Sequence, residues 1–197
     1  MGYTAIFGGT FNPLHMGHYK ILEVLNNDPK IEKILLMPDR LPPHKTAEFL
    51  IDDETRLEMC RIVAGEFSKC ELCLIEFERE GKSYTIDTVK LLQNRYPSQD
   101  FAFVMGGDML VYFDKWYKFD ELMKLLPFIV FSRTATDKTE FETCVSQFSQ
   151  MGMEIILKED IIPDVSSTQV RANFEGLKEL VPVSIYDFLT ERGVYCG

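Results

Sequence analysis

Residues 3–18 read YTAIFGGTFNPLHMGH, and the change of character inside that stretch decides the fold. Tyr3–Phe7 is a short apolar run of strand composition that stops at Gly8-Gly9. From His15 to about Leu25 the spacing becomes helical, with Tyr19, Leu22 and Leu25 on one side. The two glycines are expected to let the backbone turn sharply out of the strand and come close to a ligand.

The same alternation runs on downstream. Strands are expected at Lys33–Met37, near Glu71–Phe77, at Phe101–Met105, at Phe128–Phe131 and near Glu154–Leu157. Helices are expected from about Asp53 to Gly65, with Leu57, Cys60 and Ala64 as the apolar stripe, and near Ile86–Tyr96, carrying Val89, Leu92 and Tyr96. Two more fall at Glu121–Leu125 and near Phe141–Gln150. After Ile156 come a loop, a short helix from Thr168 and a last helix near Ser184–Arg192. Strands alternating with helices predict an α/β fold: a doubly wound, mostly parallel open sheet with a short C-terminal helical segment. No repeat or long linker interrupts it, so residues 1–197 are read as a single domain.

Bulk composition narrows the function classes. The chain has 197 residues, 46% hydrophobic and 26% charged, which is ordinary for a globular enzyme. A net charge of -10 argues against a general nucleic-acid binder, which needs a basic face. It still permits an anionic small ligand held by a few placed cations and helix N-termini. The five cysteines include one C-x-x-C, Cys70 and Cys73, with no second ligand pair at zinc spacing, and are read as reduced thiols. No targeting pattern or long apolar run is evident, so the protein is expected in the cytoplasm, away from membranes.

Unusual polar sequences cluster just after the strands: GGTFNPLHMGH, PDRLPPHK, EREGKSYTIDT, GGDMLVYFDKW, SR and DVSSTQVR. In a doubly wound sheet those points share one edge, where ligands bind. The first is neither a dinucleotide G-x-G-x-x-G nor a P-loop. Thr10 can add a hydroxyl donor. His15 and His18, two of only three histidines, are three apart and face the same way in a first helical turn, with Gly17 leaving room for a bulky ligand. Paired imidazoles beside a positive helix end suit a triphosphate whose α-phosphorus is under attack.

GGTFNPLHMGH together with SSTQVR (Ser166–Arg171) resembles the HxGH nucleotidyltransferase superfamily, in particular its bacterial nicotinate mononucleotide adenylyltransferase branch. The likeness continues through PPHK, SYTIDT, GGDM with a downstream Trp, and a closing aromatic helix. The family more often has Asp at the position of Asn12; both residues bond the local backbone in a turn. The resemblance implies a Rossmann-like nucleotidyltransferase that moves AMP from ATP to a mononucleotide phosphate, in NAD biosynthesis. It implies ATP binding by Gly8, Gly9, Thr10, Phe11, His15 and His18, by Gly106 and Asp108, and by Ser166, Ser167, Thr168 and Arg171.

The acceptor, nicotinate mononucleotide, is expected at His44, Lys45, Tyr84, Thr85, Asp108, Trp116 and Arg133. Thr85 is expected to cap a helix, and the resemblance implies that the N–H groups of that helix start take the pyridine carboxylate. Trp116 either stacks on the pyridine ring or is a half-buried core residue. Asp108 holds a ribose hydroxyl or bonds its own loop. Lys45 reaches the phosphates or is a surface lysine, and His44 contacts phosphate or packs the loop. Arg133 resembles a phosphate-binding arginine, although RTATDK lacks the expected Pro-Gly. His15, His18, Lys45 and Arg171 are expected to carry catalysis. No carboxylate cluster suggests a metal cage, so Mg²⁺ is expected to arrive on ATP. A homo-oligomer is left open.

Overall fold

The computed structural model describes residues 2–40, 51–79, 84–132, 138–173 and 176–194. Six strands form one sheet: β1 Tyr3–Gly9, β2 Ile31–Pro38, β3 Cys70–Leu72, β4 Phe101–Gly106, β5 Phe128–Phe131 and β6 Ile155–Lys158. Their order is β3-β2-β1-β4-β5-β6, and every pairing is parallel. The order reverses between β1 and β4, which opens a crevice beyond their C-terminal ends.

The pleat explains why these segments are strands buried on both faces. Ala5, Phe7, Ile34, Leu36, Ala102, Val104, Ile129 and Phe131 join one core. Their alternates Ile6, Leu35, Met37, Phe101, Phe103, Met105, Phe128 and Val130 join the other. The first core is covered by α1 (Met16–Asn27), α2 (Asp53–Ala64) and the closing helices. The second is covered by α3 (Thr85–Arg95), α4 (Gly107–Val111), α5 (Phe119–Leu122) and α6 (Lys138–Gln150). The closing helices are α7 (Ser167–Ala172), α8 (Leu177–Leu180) and α9 (Val183–Glu191), which bury Val170, Leu177, Ile185 and Leu189. At ~1.5–3 kcal/mol per fully buried side chain, trimming Leu22 or Leu189 would cost a large part of a domain's net stability.

Several expectations need correction. Gly8 and Gly9 stay in β1, paired with Met37 and Pro38, so they do not make the turn. The chain leaves the strand at Phe11, whose φ is +47°, followed by a cis Asn12-Pro13 peptide bond. Strand β3 is three residues long, not the expected Glu71–Phe77. Among the described residues it is an edge strand bonded only to β2, and after Cys73 donates to Leu36 O the chain bends, with Phe77 N donating to Leu74 O at 2.9 Å. The buried face of α2 is Thr55, Arg56, Met59, Cys60, Val63 and Ala64, with Leu57 only half-buried. Tyr96 is the exposed C-cap of α3 and not part of its stripe. Helix α4, read as loop in the sequence, starts directly after β4 because Leu110 and the following Phe113 plug the second core.

Among the described residues all four cysteines are free, and no helix is long and apolar enough to cross a membrane.

Candidate active site

A cavity of about 680 Å³ opens at the C-terminal edge of the sheet. It is lined from the ends of β1 and β2, from the segments after β3 and β4, and from the start of α7. Arg133 lies outside the described residues, as do His44, Lys45 and Ser83.

One part of the cavity is built around the start of α1. His15 is the N-cap and His18 the N3 residue, and the two histidines form a reciprocal capping box. Gly17 N–H donates to His15 Nδ1 at 3.1 Å, and His15 N–H donates to His18 Nδ1 at 3.2 Å. A neutral imidazole that accepts at Nδ1 carries its proton on Nε2. Both rings therefore present an Nε2–H donor, and they lie stacked with centroids 3.7 Å apart. Phe11 sets the far side of the pair, edge-on to His18 at 5.0 Å and 76°. Gly17 has a different purpose from the expected one. A Cβ there would lie 3.0 Å from His15 Cε1 and 3.2 Å from Pro163 O, so the glycine makes room for the His15 ring.

The last segment docks onto this loop. Ser166 caps α7, accepting from Gln169 N at 3.2 Å while its own N–H donates to Gln169 Oε1 at 2.6 Å. Ser167 Oγ donates to Pro13 O at 3.0 Å. Arg171 donates through Nη1 to Asn12 O at 2.7 Å and through Nη2 to Thr168 Oγ1 at 3.1 Å. Ser167 and Arg171 thus hold α7 against the histidine loop, while the Ser166 and Thr168 hydroxyls bond within α7. Ser166, Ser167, Thr168 and Arg171 still line the cavity. Thr10 Oγ1 donates to Asp39 Oδ2 at 3.3 Å, and Asp39 lines the cavity as well.

Another part of the lining is aromatic. Helix α3 begins beneath the cavity with Tyr84, not Thr85, as its N-cap, and no side chain caps it. An uncapped helix start offers backbone N–H groups to an anion. The Tyr84 and Tyr117 rings lie 4.5 Å apart at 38°. Trp116 is half-buried, edge-on to Phe103 at 5.8 Å and beside Phe113 at 5.4 Å, and it lines the cavity. Trp116 is thus a half-buried core residue with part of its surface on the cavity. Gly106 and the exposed Asp108 line the wall at the end of β4.

Sequence reasoning missed Asp39, Glu76, Met109, Lys115 and Tyr117 as lining residues. Glu76 is buried and accepts from Thr88 Oγ1 at 2.9 Å, a contact from α3 that no local spacing announces. Tyr117, next to Trp116 in an aromatic-rich turn, was open to detection. The C-x-x-C carries no reactive thiolate: burial pushes Cys70 up to about 12 and raises Cys73 as well. Among the described residues no group of three or more His, Cys, Asp or Glu is placed to hold a metal.

A doubly wound sheet with paired imidazole donors at its first strand end and an anion-ready crevice defines a nucleotidyl-transfer architecture. The chain belongs to the cytidylyltransferase-like family, whose profile matches residues 6–173. Over nearly its whole length it is similar to nicotinate-nucleotide adenylyltransferase of Bacillus subtilis, at 36% identity over 194 residues and 96% of each chain. It is also similar to the probable nicotinate-nucleotide adenylyltransferase of Clostridium tetani, at 34% identity over 97% of this chain and 98% of the relative. The fold matches that of Plasmodium falciparum nicotinic acid mononucleotide adenylyltransferase complexed with NaAD. The TM-score is 0.80 at 20% identity, over 100% of this chain and 98% of the other.

Proposed function

We propose that this chain transfers AMP from ATP to the 5′-phosphate of nicotinate mononucleotide, giving nicotinate adenine dinucleotide and pyrophosphate, as a step of NAD biosynthesis. The observation that carries the reading is the reciprocal His15–His18 cap, which engages Nδ1 of both rings at a helix N-terminus that lines the cavity. Near full-length similarity to nicotinate-nucleotide adenylyltransferases supports the choice of acceptor.

An oxygen of the mononucleotide phosphate attacks the α-phosphorus of ATP. A new P–O bond forms as the bond from that phosphorus to the α,β-bridging oxygen breaks, and pyrophosphate leaves with the electron pair. The attacking phosphate is already an anion, so no enzyme nucleophile is needed. Catalysis is alignment and charge stabilisation. His15, His18 and Arg171 face the triphosphate, and Lys45 is assigned the same task. Gly8, Gly9, Thr10, Phe11, Gly106, Ser166, Ser167 and Thr168 shape the nucleotide end. Mg²⁺ enters as part of the ATP substrate and supplies charge neutralisation on the phosphates.

At the other end the start of α3, Tyr84 and Thr85, takes the pyridine carboxylate. Trp116 stacks on the ring and Asp108 holds ribose, while His44 and Arg133 are assigned to the acceptor phosphate. Residues 1–197 act as one nucleotidyltransferase domain in the cytoplasm, and the oligomeric state is open to a homo-oligomer.

The test follows pyrophosphate release with ATP and, in turn, nicotinate mononucleotide, nicotinamide mononucleotide and phosphopantetheine. Fastest release with the nicotinate compound is expected. A clear preference for another acceptor, or no release at all, overturns the reading.

A further inference from the structure

Three carbonyls within four residues of the histidine loop are held by donors from distant elements. Thr10 O accepts from Arg56 Nη1 at 2.8 Å, Asn12 O from Arg171 at 2.7 Å, and Pro13 O from Ser167 at 3.0 Å. Arg171 and Ser167 line the cavity, whereas Arg56 belongs to α2 on the sheet's first core and does not. Its side chain is fully buried, the largest such side chain among the described residues.

Stability alone is a poor reason for that cation. Among the described residues its only carboxylate partner is Asp53, at 2.5 Å, whose side chain is 54% exposed. Among the described residues the buried Nε finds no hydrogen-bond partner. Removing a guanidinium from water against a half-solvated carboxylate gains little, and an apolar side chain of similar size would fill such a place at least as well. What the apolar side chain would lose is the grip on Thr10.

From these contacts the geometry points to Arg56 as a positioning residue for adenylyl transfer, acting through the Thr10 carbonyl on the backbone that carries His15 and His18; this rests on the adenylyl-transfer reading above. The Thr10–Phe11 peptide is planar, so fixing its carbonyl toward Arg56 turns the Phe11 N–H the opposite way. Phe11 then adopts its left-handed φ of +47° and sets its ring edge-on to His18. The start of α2 grips the same loop a second time, because Ile51 N donates to Asn12 Oδ1 at 3.0 Å. The closing helix steadies that helix start through Arg192, which donates to Thr55 Oγ1 and Glu54 Oε1, both at 3.0 Å.

The experiment compares the parent with R56K and D53N, using ATP and nicotinate mononucleotide well below the melting temperature, and records imidazole ¹⁵N spectra without substrate. R56K keeps the charge but cannot hold Thr10 and Asp53 together. It is expected to lower kcat about ten- to one-hundred-fold, the scale of a small misplacement of catalytic groups. KM for the mononucleotide should stay within about two-fold of the parent, since its site is untouched. The His15 and His18 signals should move away from the parent's Nε2–H pattern. A lower melting temperature with parent kcat and parent imidazole signals overturns the proposal. If R56K does not fold, D53N decides. That variant frees one arm of the guanidinium at a half-exposed carboxylate and should lower kcat about three-fold or more with shifted imidazole signals. Parent-like values on both counts overturn it. A parent that releases no pyrophosphate sinks the adenylyl-transfer reading instead, and the substrate-free spectra then still decide for or against Arg56.

Discussion

The two ends of the cavity are built by different means. At the nucleotide end, side chains are locked to backbone. His15 and His18 cap each other's helix turn, Arg171 and Ser167 hold the Asn12 and Pro13 carbonyls, and Phe11 buttresses His18. At the acceptor end the lining is aromatic and partly exposed. Tyr117 is 49% exposed against Tyr84, Trp116 leans edge-on on Phe103, and α3 begins without a side-chain cap. Transition-state stabilisation needs donors fixed in advance. Holding a planar ring and a carboxylate needs area and an open helix end. On the proposed function the contrast divides the labour, with chemistry at the side-chain-locked end and choice of acceptor at the aromatic end.

The largest effect is expected from His18→Ala. Losing one preorganised donor costs ~2.7–4 kcal/mol, about a hundred- to thousand-fold in turnover, while KM for the mononucleotide should hardly move. Turnover within a few-fold of the parent would erase the distinction between the two ends. Arg171→Met comes next. A charge-assisted hydrogen bond is worth ~1.5–3 kcal/mol, so steady-state kinetics should show kcat/KM for ATP about ten- to one-hundred-fold lower. An unchanged value would make Arg171 a tie between α7 and the first loop and nothing more.

Trp116→Ala should act on the other end alone. Ring stacking is worth ~1–3 kcal/mol, which predicts a KM for nicotinate mononucleotide about ten-fold higher with KM for ATP unchanged. Equal changes in both constants would mean that the indole serves the core, through Phe103 and Phe113, more than the acceptor.

The smallest effect lies outside the cavity. Burial alone would raise the Asp28 carboxyl, but the Lys158 ammonium at 2.5 Å and the Lys30 N–H outweigh it and hold the group below its ordinary value. A carboxyl depressed in the folded state stabilises above its unfolded pKa of about 3.9, and that contribution fades as pH falls through the folded value. Asp28→Asn should therefore melt below the parent at neutral pH, with the gap closing in acid and turnover unchanged. A gap independent of pH would contradict that linkage.

Much of this was legible because it is periodic. The alternation of YTAIF with the helix after His15, and its recurrence, fixes a parallel sheet and one ligand-binding edge. The histidine spacing reads directly as two groups on one helix turn. What was hidden is settled by tertiary contacts. Gly107-Asp108 looks like a turn, yet α4 forms there because Leu110 is needed in the core and Gly107 fits beneath Phe141. Gly8-Gly9 looks like the turn, yet the pairing with β2 keeps both in the strand. Arg56 reads as solvent-facing by residue type, although it precedes Met59 by three and Cys60 by four and so shares their buried face. The expectations for His44, Lys45 and Arg133 rest on sequence alone, since they lie outside the described residues.

The central claim is the transfer itself, and ATP labelled on its α-phosphate tests it most directly. Incubated with nicotinate mononucleotide and Mg²⁺, the enzyme should place the label in nicotinate adenine dinucleotide and release unlabelled pyrophosphate, with His18→Ala forming that product at a small fraction of the parent rate. Label remaining in ATP, or appearing in AMP with no dinucleotide formed, would contradict the account.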